Sequence, residues 1–67
     1  MHSDRMVNGK ILRKARQRLG ESQIEFAKRL GVHQSVVSRL EREERKARGP
    51  VLLLIQRVLG ELREAAE

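Results

Sequence analysis

The sequence predicts an all-α domain, four to five short helices packed around one core. Apolar residues recur at three- and four-residue steps in several separate stretches. Five glycines and one proline stand between those stretches, where helix ends and starts use them. Sixty-seven residues leave room for a single small core, so the helices must share it.

Met1 to Val7 mixes polar and basic residues without a period and reads as a flexible N-terminal arm, either frayed or reaching a partner. The domain proper takes residues 8–67. From about Asn8 to Leu19, Ile11, Leu12, Ala15 and Leu19 form the apolar stripe of helix 1, which Gly20 stops. Ser22 and Glu25 have the S-x-x-E spacing that satisfies two orphan donors at once, so helix 2 spans about 22–30, with Phe26, Ala27 and Leu30 inward. Gly31 ends it. A third helix follows over about 33–42, its inward residues Val37 and Leu40. Arg42 to Arg48 lose the apolar period and read as a charged linker, a solvated loop or a clamp on phosphate. Gly49 and Pro50 open the last helix, over about 50–64, because proline's missing N–H is not needed in a first turn.

That last helix has too many apolar residues for one stripe. Leu52, Ile55, Leu59 and Leu62 make one, and Val51, Leu54 and Val58 make another. One is expected to cover the core. The other marks an interface, so a twofold homodimer through Val51, Leu54, Ile55, Val58 and Leu62 is predicted. The alternative is a bend near Gly60 and a fifth short helix, from Leu62 to Ala66, that covers the patch within one chain.

Charge points to the partner. Fifteen lysines and arginines against nine acidic residues give a net charge of +6, which suits a polyanion. Phe26 is the only aromatic residue, which argues against platforms that stack unpaired bases and favours duplex DNA. There is no cysteine, hence no disulfide and no thiolate zinc site, and two histidines do not make a metal centre. The longest apolar run, Val51 to Ile55, is far too short to span a membrane. Met1 to Gly9 lacks the apolar core of a signal peptide, so the cytoplasm is expected. No H-E-x-x-H, phosphate-cradling glycine loop or cysteine nucleophile is present; neither enzyme activity nor a cofactor is expected.

A short helix, a glycine-containing turn and a further helix are the parts that set a recognition helix into the major groove. The stretch L-R-K-A-R-Q-R-L-G-E-S-Q-I-E-F-A-K-R-L-G-V-H-Q-S-V-V-S-R-L-E, Leu12 to Glu41, resembles the phage-repressor and Cro type of helix-turn-helix protein, the XRE family. The most specific parts are Ser22-Gln23, Ala27, Leu30-Gly31-Val32, Gln34-Ser35 and Ser38-Arg39-Leu40-Glu41. The resemblance implies a lambda-repressor-like fold and sequence-specific binding to double-stranded DNA.

It also implies roles. Gln34, Ser35, Ser38 and Arg39 stand where base edges are read, and glutamine and arginine can pair bidentately with adenine and guanine respectively. Gln23 stands where a phosphate is held; His33 beside the readout residues, and Arg42 and Arg45 of the charged stretch, are further candidate phosphate or positioning residues on their own chemistry. Arg16 and Glu41 occupy the places of an internal ion pair. Two residues depart from the family pattern. His33 replaces a usual serine or threonine and caps the helix, meets a phosphate or reads a base; Glu21 replaces an apolar residue and either loosens the first turn or lies harmlessly in solvent.

The expected function is a transcriptional regulator, a dimeric repressor on a near-palindromic operator, its own promoter among the candidates. The alternative is an antitoxin-like interaction module whose apolar last helix binds a second protein, a reading prompted by the glycine-proline step before a leucine-rich helix at R-K-A-R-G-P-V-L-L-L-I.

Overall fold

The computed structural model describes the backbone of residues 7–66 and the side chains of residues 7–63. Among the described residues four helices follow in order: α1 Gly9–Arg18, α2 Gln23–Leu30, α3 Gln34–Glu41 and α4 Gly49–Ala66. No residue described lies in a strand. The reading of Met1 to Met6 as an arm lies outside the described residues. Val7, assigned to that arm by its sequence, packs against the core.

Each of the first three helices starts on a side-chain cap. Asn8 accepts from the Ile11 backbone N–H at 2.8 Å. Ser22 and Glu25 form the reciprocal box, with Glu25 N–H on Ser22 Oγ at 3.1 Å and Ser22 N–H on Glu25 Oε1 at 2.8 Å. His33 accepts from the Ser35 N–H through Nδ1 at 3.1 Å. A serine or asparagine cap of this kind is worth about 1 kcal/mol.

The same three helices end alike. After α1, Gly20 N–H reaches Gln17 C=O and Glu21 N–H reaches Arg16 C=O; after α2, Gly31 and Val32 reach Lys28 and Ala27; after α3, Glu43 and Glu44 reach Leu40 and Arg39. This paired closure needs a left-handed residue. Gly20 (φ 69°) and Gly31 (φ 73°) supply it at no steric cost, whereas after α3 it falls to Glu43 at φ 62°.

The core comes from all four helices: Leu12, Phe26, Ala27, Leu30, Val37, Leu40, Ile55 and Val58. Burial of a large side chain among them contributes about 1.5–3 kcal/mol. Ile11, expected in the apolar stripe of helix 1, is exposed at its edge, whereas Leu12 and Ala15 are buried and Leu19 packs half-buried against the core.

Helix α4 requires larger corrections. Ile55 (0% exposed) and Val58 (9%) are buried within their own chain, so they do not form a dimer interface. The two are three residues apart and lie on one helix face, so the buried face runs between the two predicted stripes and takes one residue from each. Val51, Leu54, Leu59 and Leu62 flank it, half-buried, while Leu53 remains 66% exposed. The alternative fifth helix from Leu62 to Ala66 does not form: α4 runs unbroken through Gly60 to Ala66.

Candidate nucleic-acid interface

Helix α3 is held from behind. Val37 and Leu40 enter the core, and Glu41 is buried at its last turn. With that side fixed, Gln34, Ser35, Ser38 and Arg39 lie together on the outer side, at the three- and four-residue steps that share a helix face. Arg39 is exposed and the other three are half-buried. Arg42, the C-cap residue, continues the row, and Arg45 lies exposed in the loop beyond.

The polar groups of this face are tied to one another. Gln34 Nε2 donates to Gln23 Oε1 at 2.9 Å, and Gln23 Nε2 donates to Glu41 Oε1 at 3.1 Å. Glu41 also accepts from Arg16, whose Nε lies 2.6 Å from Oε2 and whose Nη2 lies 3.2 Å from Oε1. Arg13 Nε stands 3.6 Å from Oε1. Arg16 therefore bridges α1 to the end of α3, and its Nη1 donates to the Glu21 carbonyl at 3.0 Å as well. Burial alone would raise the Glu41 carboxyl, but the hydrogen bonds from Arg16 and Gln23 outweigh it and hold the group below the ordinary glutamate range. No buried side-chain nitrogen or oxygen among the described residues lacks a partner.

His33 acts as the N-cap of α3. Its Nδ1 receives the Ser35 N–H and lies 2.9 Å from Ser35 Oγ. With Nδ1 as acceptor, the neutral ring carries its proton on Nε2. Ser38 Oγ accepts from Arg42 Nη1 at 2.7 Å, and the Arg42 guanidinium also spans both carboxylate oxygens of Glu44 at 3.0 and 3.2 Å. Arg42 is thus joined both to the outer face of α3 and to an acidic neighbour.

Glu21 does not lie free in solvent. Its carboxylate takes a forked pair of hydrogen bonds from Arg29, which binds the α1–α2 turn to the far end of α2 and holds the Glu21 carboxyl below its ordinary range. Sequence reasoning missed this pair, since eight residues across a turn has no periodic signature. It also missed Gly9. A Cβ there would lie 2.2 Å from the Glu41 carbonyl oxygen, so the start of α1 meets the end of α3 backbone to backbone, and Gly9 N–H reaches Glu43 Oε2 at 3.3 Å.

The turn between α2 and α3 is short and left-handed at Gly31, and Ala27 and Val37 are buried in the core that the two helices of the motif share. Residues 12–65 match the helix-turn-helix family. The chain belongs to that family. The helix-turn-helix proteins in question are of the phage-repressor and Cro type, with the all-α lambda-repressor-like fold seen here. They are DNA-binding transcriptional regulators, and this chain is one in that general sense. Neither curated proteins nor solved structures give a match. Among the described residues no helix is long and apolar enough to cross a membrane.

Proposed function

We propose that the protein is a sequence-specific repressor that binds a near-palindromic operator as a dimer and blocks polymerase there, its own promoter being the first candidate. The observation that carries this reading is the outer face of α3: Gln34, Ser35, Ser38 and Arg39 project from a helix whose opposite face is anchored by Val37, Leu40 and Glu41. Gln34 and Arg39 have the donors and acceptors to distinguish adenine and guanine in the major groove. Gln23, at the start of α2, and the Nε2 side of His33 flank that face and are assigned to phosphate oxygens. Arg42 joins them by exchanging Glu44 for a phosphate, with Arg45 beyond it. The net charge of +6 supplies the non-specific attraction.

The dimer reading rests on α4. Leu53 is two-thirds exposed, and Leu52 and Leu54 beside it are only half-buried. One protomer presents one recognition helix, and two related by a twofold axis would read half-sites about 34 Å apart. The cytoplasm is the compartment this function requires.

Titration into a labelled duplex from upstream of the protein's own gene, beside a scrambled duplex, tests the proposal at two salt concentrations. Selective binding with two protomers per site is expected, with log affinity falling against log salt by about 0.9 per phosphate contacted. Arg39→Ala is expected to cost about 1–3 kcal/mol at one base position, and Gln23→Ala to weaken all sequences alike. Leu53→Glu should give monomers in light scattering and weaker operator binding. Equal, weak binding to both duplexes would overturn the repressor reading in favour of a protein partner on α4, and a wild type that is monomeric at micromolar concentration with one protomer per site would overturn the dimer.

A further inference from the structure

Glu41 lies at the buried end of a chain of hydrogen bonds whose other end is the candidate base reader Gln34. An ionised carboxylate has no proton to donate, so any group hydrogen-bonded to it must donate. Gln23 has two chemically opposite amide ends, and only its Nε2 end satisfies Glu41, as the 3.1 Å contact has it. Its Oε1 is then turned outward and must accept, so Gln34 is obliged to offer its Nε2, here at 2.9 Å. One N–H of Gln34 is used in this way. Its second N–H and its carbonyl oxygen remain for an outside partner, in an order that cannot reverse without breaking a link behind it.

We infer that Glu41 is a positioning residue for base selection: through Gln23 it sets which end of the Gln34 amide donates and which accepts at the DNA. The assignment rests on the proposed reading of Gln34 as a base reader. The chain of contacts explains why the carboxylate is placed here at all. Arg16 alone would be satisfied by any buried acceptor, but an acceptor-only group with two oxygens serves Arg16 and fixes the amide of Gln23 together. Side-chain exposure of Glu41 is 1%, so water does not compete for that fixing role. An amide held in one orientation presents adenine's N6 and N7 with a matched acceptor and donor; the reversed amide presents two mismatches.

The test is a base preference, not an affinity. Selection from a pool of random duplexes with the wild type defines the preferred base at each operator position, and the position whose preference disappears in Gln34→Ala is the one Gln34 reads. At that position Glu41→Gln is expected to lower discrimination on the order of tenfold, with other positions unchanged. The reason is that Arg16 Nε, the shorter of its two contacts, keeps the new carbonyl oxygen at the Oε2 position, the new N–H2 takes the Oε1 position facing Gln23 at the loss of the Arg16 Nη2 contact, and both glutamine amides reverse in turn. In a Gln34→Ala background the Glu41→Gln change should have no further effect on preference.

Gln23→Met cuts the middle link while leaving the Arg16–Glu41 pair intact, and it carries the test if Glu41→Gln does not fold. It should weaken all sequences through its own lost phosphate contact and, in addition, erase the preference at the Gln34 position. If Gln34→Ala erases a preference that Glu41→Gln and Gln23→Met leave in place, the positioning role is overturned while base reading stands. If Gln34→Ala alters no position, the base-reading assignment itself is overturned and the positioning role with it.

Discussion

Helices α2 and α3 together and helix α4 alone handle their apolar residues differently. In the first pair, Phe26, Ala27, Leu30, Val37 and Leu40 are all at most 5% exposed, and the opposite faces are polar apart from Ile24 at 58%. In α4, Ile55 and Val58 are buried, a ring of half-buried leucines and valines surrounds them, and Leu53 stands in solvent. The first region has closed its core, so its surface is free to be specified by polar chemistry. The second presents more apolar surface than one small chain can cover, which is how a surface meant for another protein looks. Under the proposed function, recognition of DNA and association of protein fall on separate elements, with the core between them.

The comparison depends on α3 being fixed at its buried end, and Gly9 is where that is most easily broken. A methyl group at Gly9 would sit 2.2 Å from the Glu41 carbonyl oxygen, against backbone rather than a yielding side chain. Gly9→Ala should therefore destabilise by about 3 kcal/mol, through forced separation of α1 from α3. Thermal denaturation followed by circular dichroism should show a drop in Tm of more than about 10 °C. An unchanged Tm would mean that the two backbones are not in close contact.

Acid should act on the same end of α3, with a smaller effect near neutrality. Glu41 and Glu21 each have a carboxyl held below the ordinary range, the first by Arg16 and Gln23 against the cost of burial, the second by Arg29. A depressed folded-state value means that the unfolded chain binds protons first, so the stabilisation is complete above the unfolded glutamate pKa, about 4.3, and is lost as pH falls through the folded value. Urea melts should show little change between pH 7 and pH 5 from these groups and a loss of stability below that. In Glu41→Gln the loss should be shallower, because the most buried of the carboxyls held low is gone. An acid profile identical to wild type would remove Glu41 from the account.

Much of the closed region was legible in the sequence, and the reasons are local. Ser22 with Glu25 marks a helix start because capping involves only near neighbours, and Phe26, Ala27 and Leu30 name their own inward face. The helix-turn-helix resemblance then placed Arg16 and Glu41 in one pair, which no periodicity could do. What could not be read depends on distance in space. Gly9 matters because of a carbonyl 32 positions later, and Glu43 takes a left-handed conformation that glycine supplies after α1 and α2. The link from Glu41 through Gln23 to Gln34 likewise joins three residues that share no sequence spacing. In α4 the periodicity was ambiguous because apolar residues occupy every angle of the helix over Val51 to Ile55, so only packing against Phe26 and its neighbours decides that Ile55 and Val58 lie inside.

Gly60 separates the two ways of finishing α4, and its effect should be the smallest. It lies in the interior of an 18-residue helix, and a Cβ placed there meets nothing within 4 Å. Within one chain, then, Gly60 does no packing work, and its flexibility costs helix stability relative to alanine. Gly60→Ala should raise stability by about 0.5–1 kcal/mol, or a few degrees in Tm, measured at a concentration low enough to keep the protein monomeric. At higher concentration the two readings part. If the partner protomer docks around Leu53 without touching the backbone at Gly60, the gain persists in the dimer. If two α4 helices cross closely at Gly60, the added methyl group holds them apart, and the dimer dissociates at lower dilution while the monomer is still more stable than wild type. Sedimentation equilibrium of Gly60→Ala beside its melting curve therefore locates the crossing point on α4, and a variant that loses stability even as a monomer would mean that the helix itself bends at Gly60.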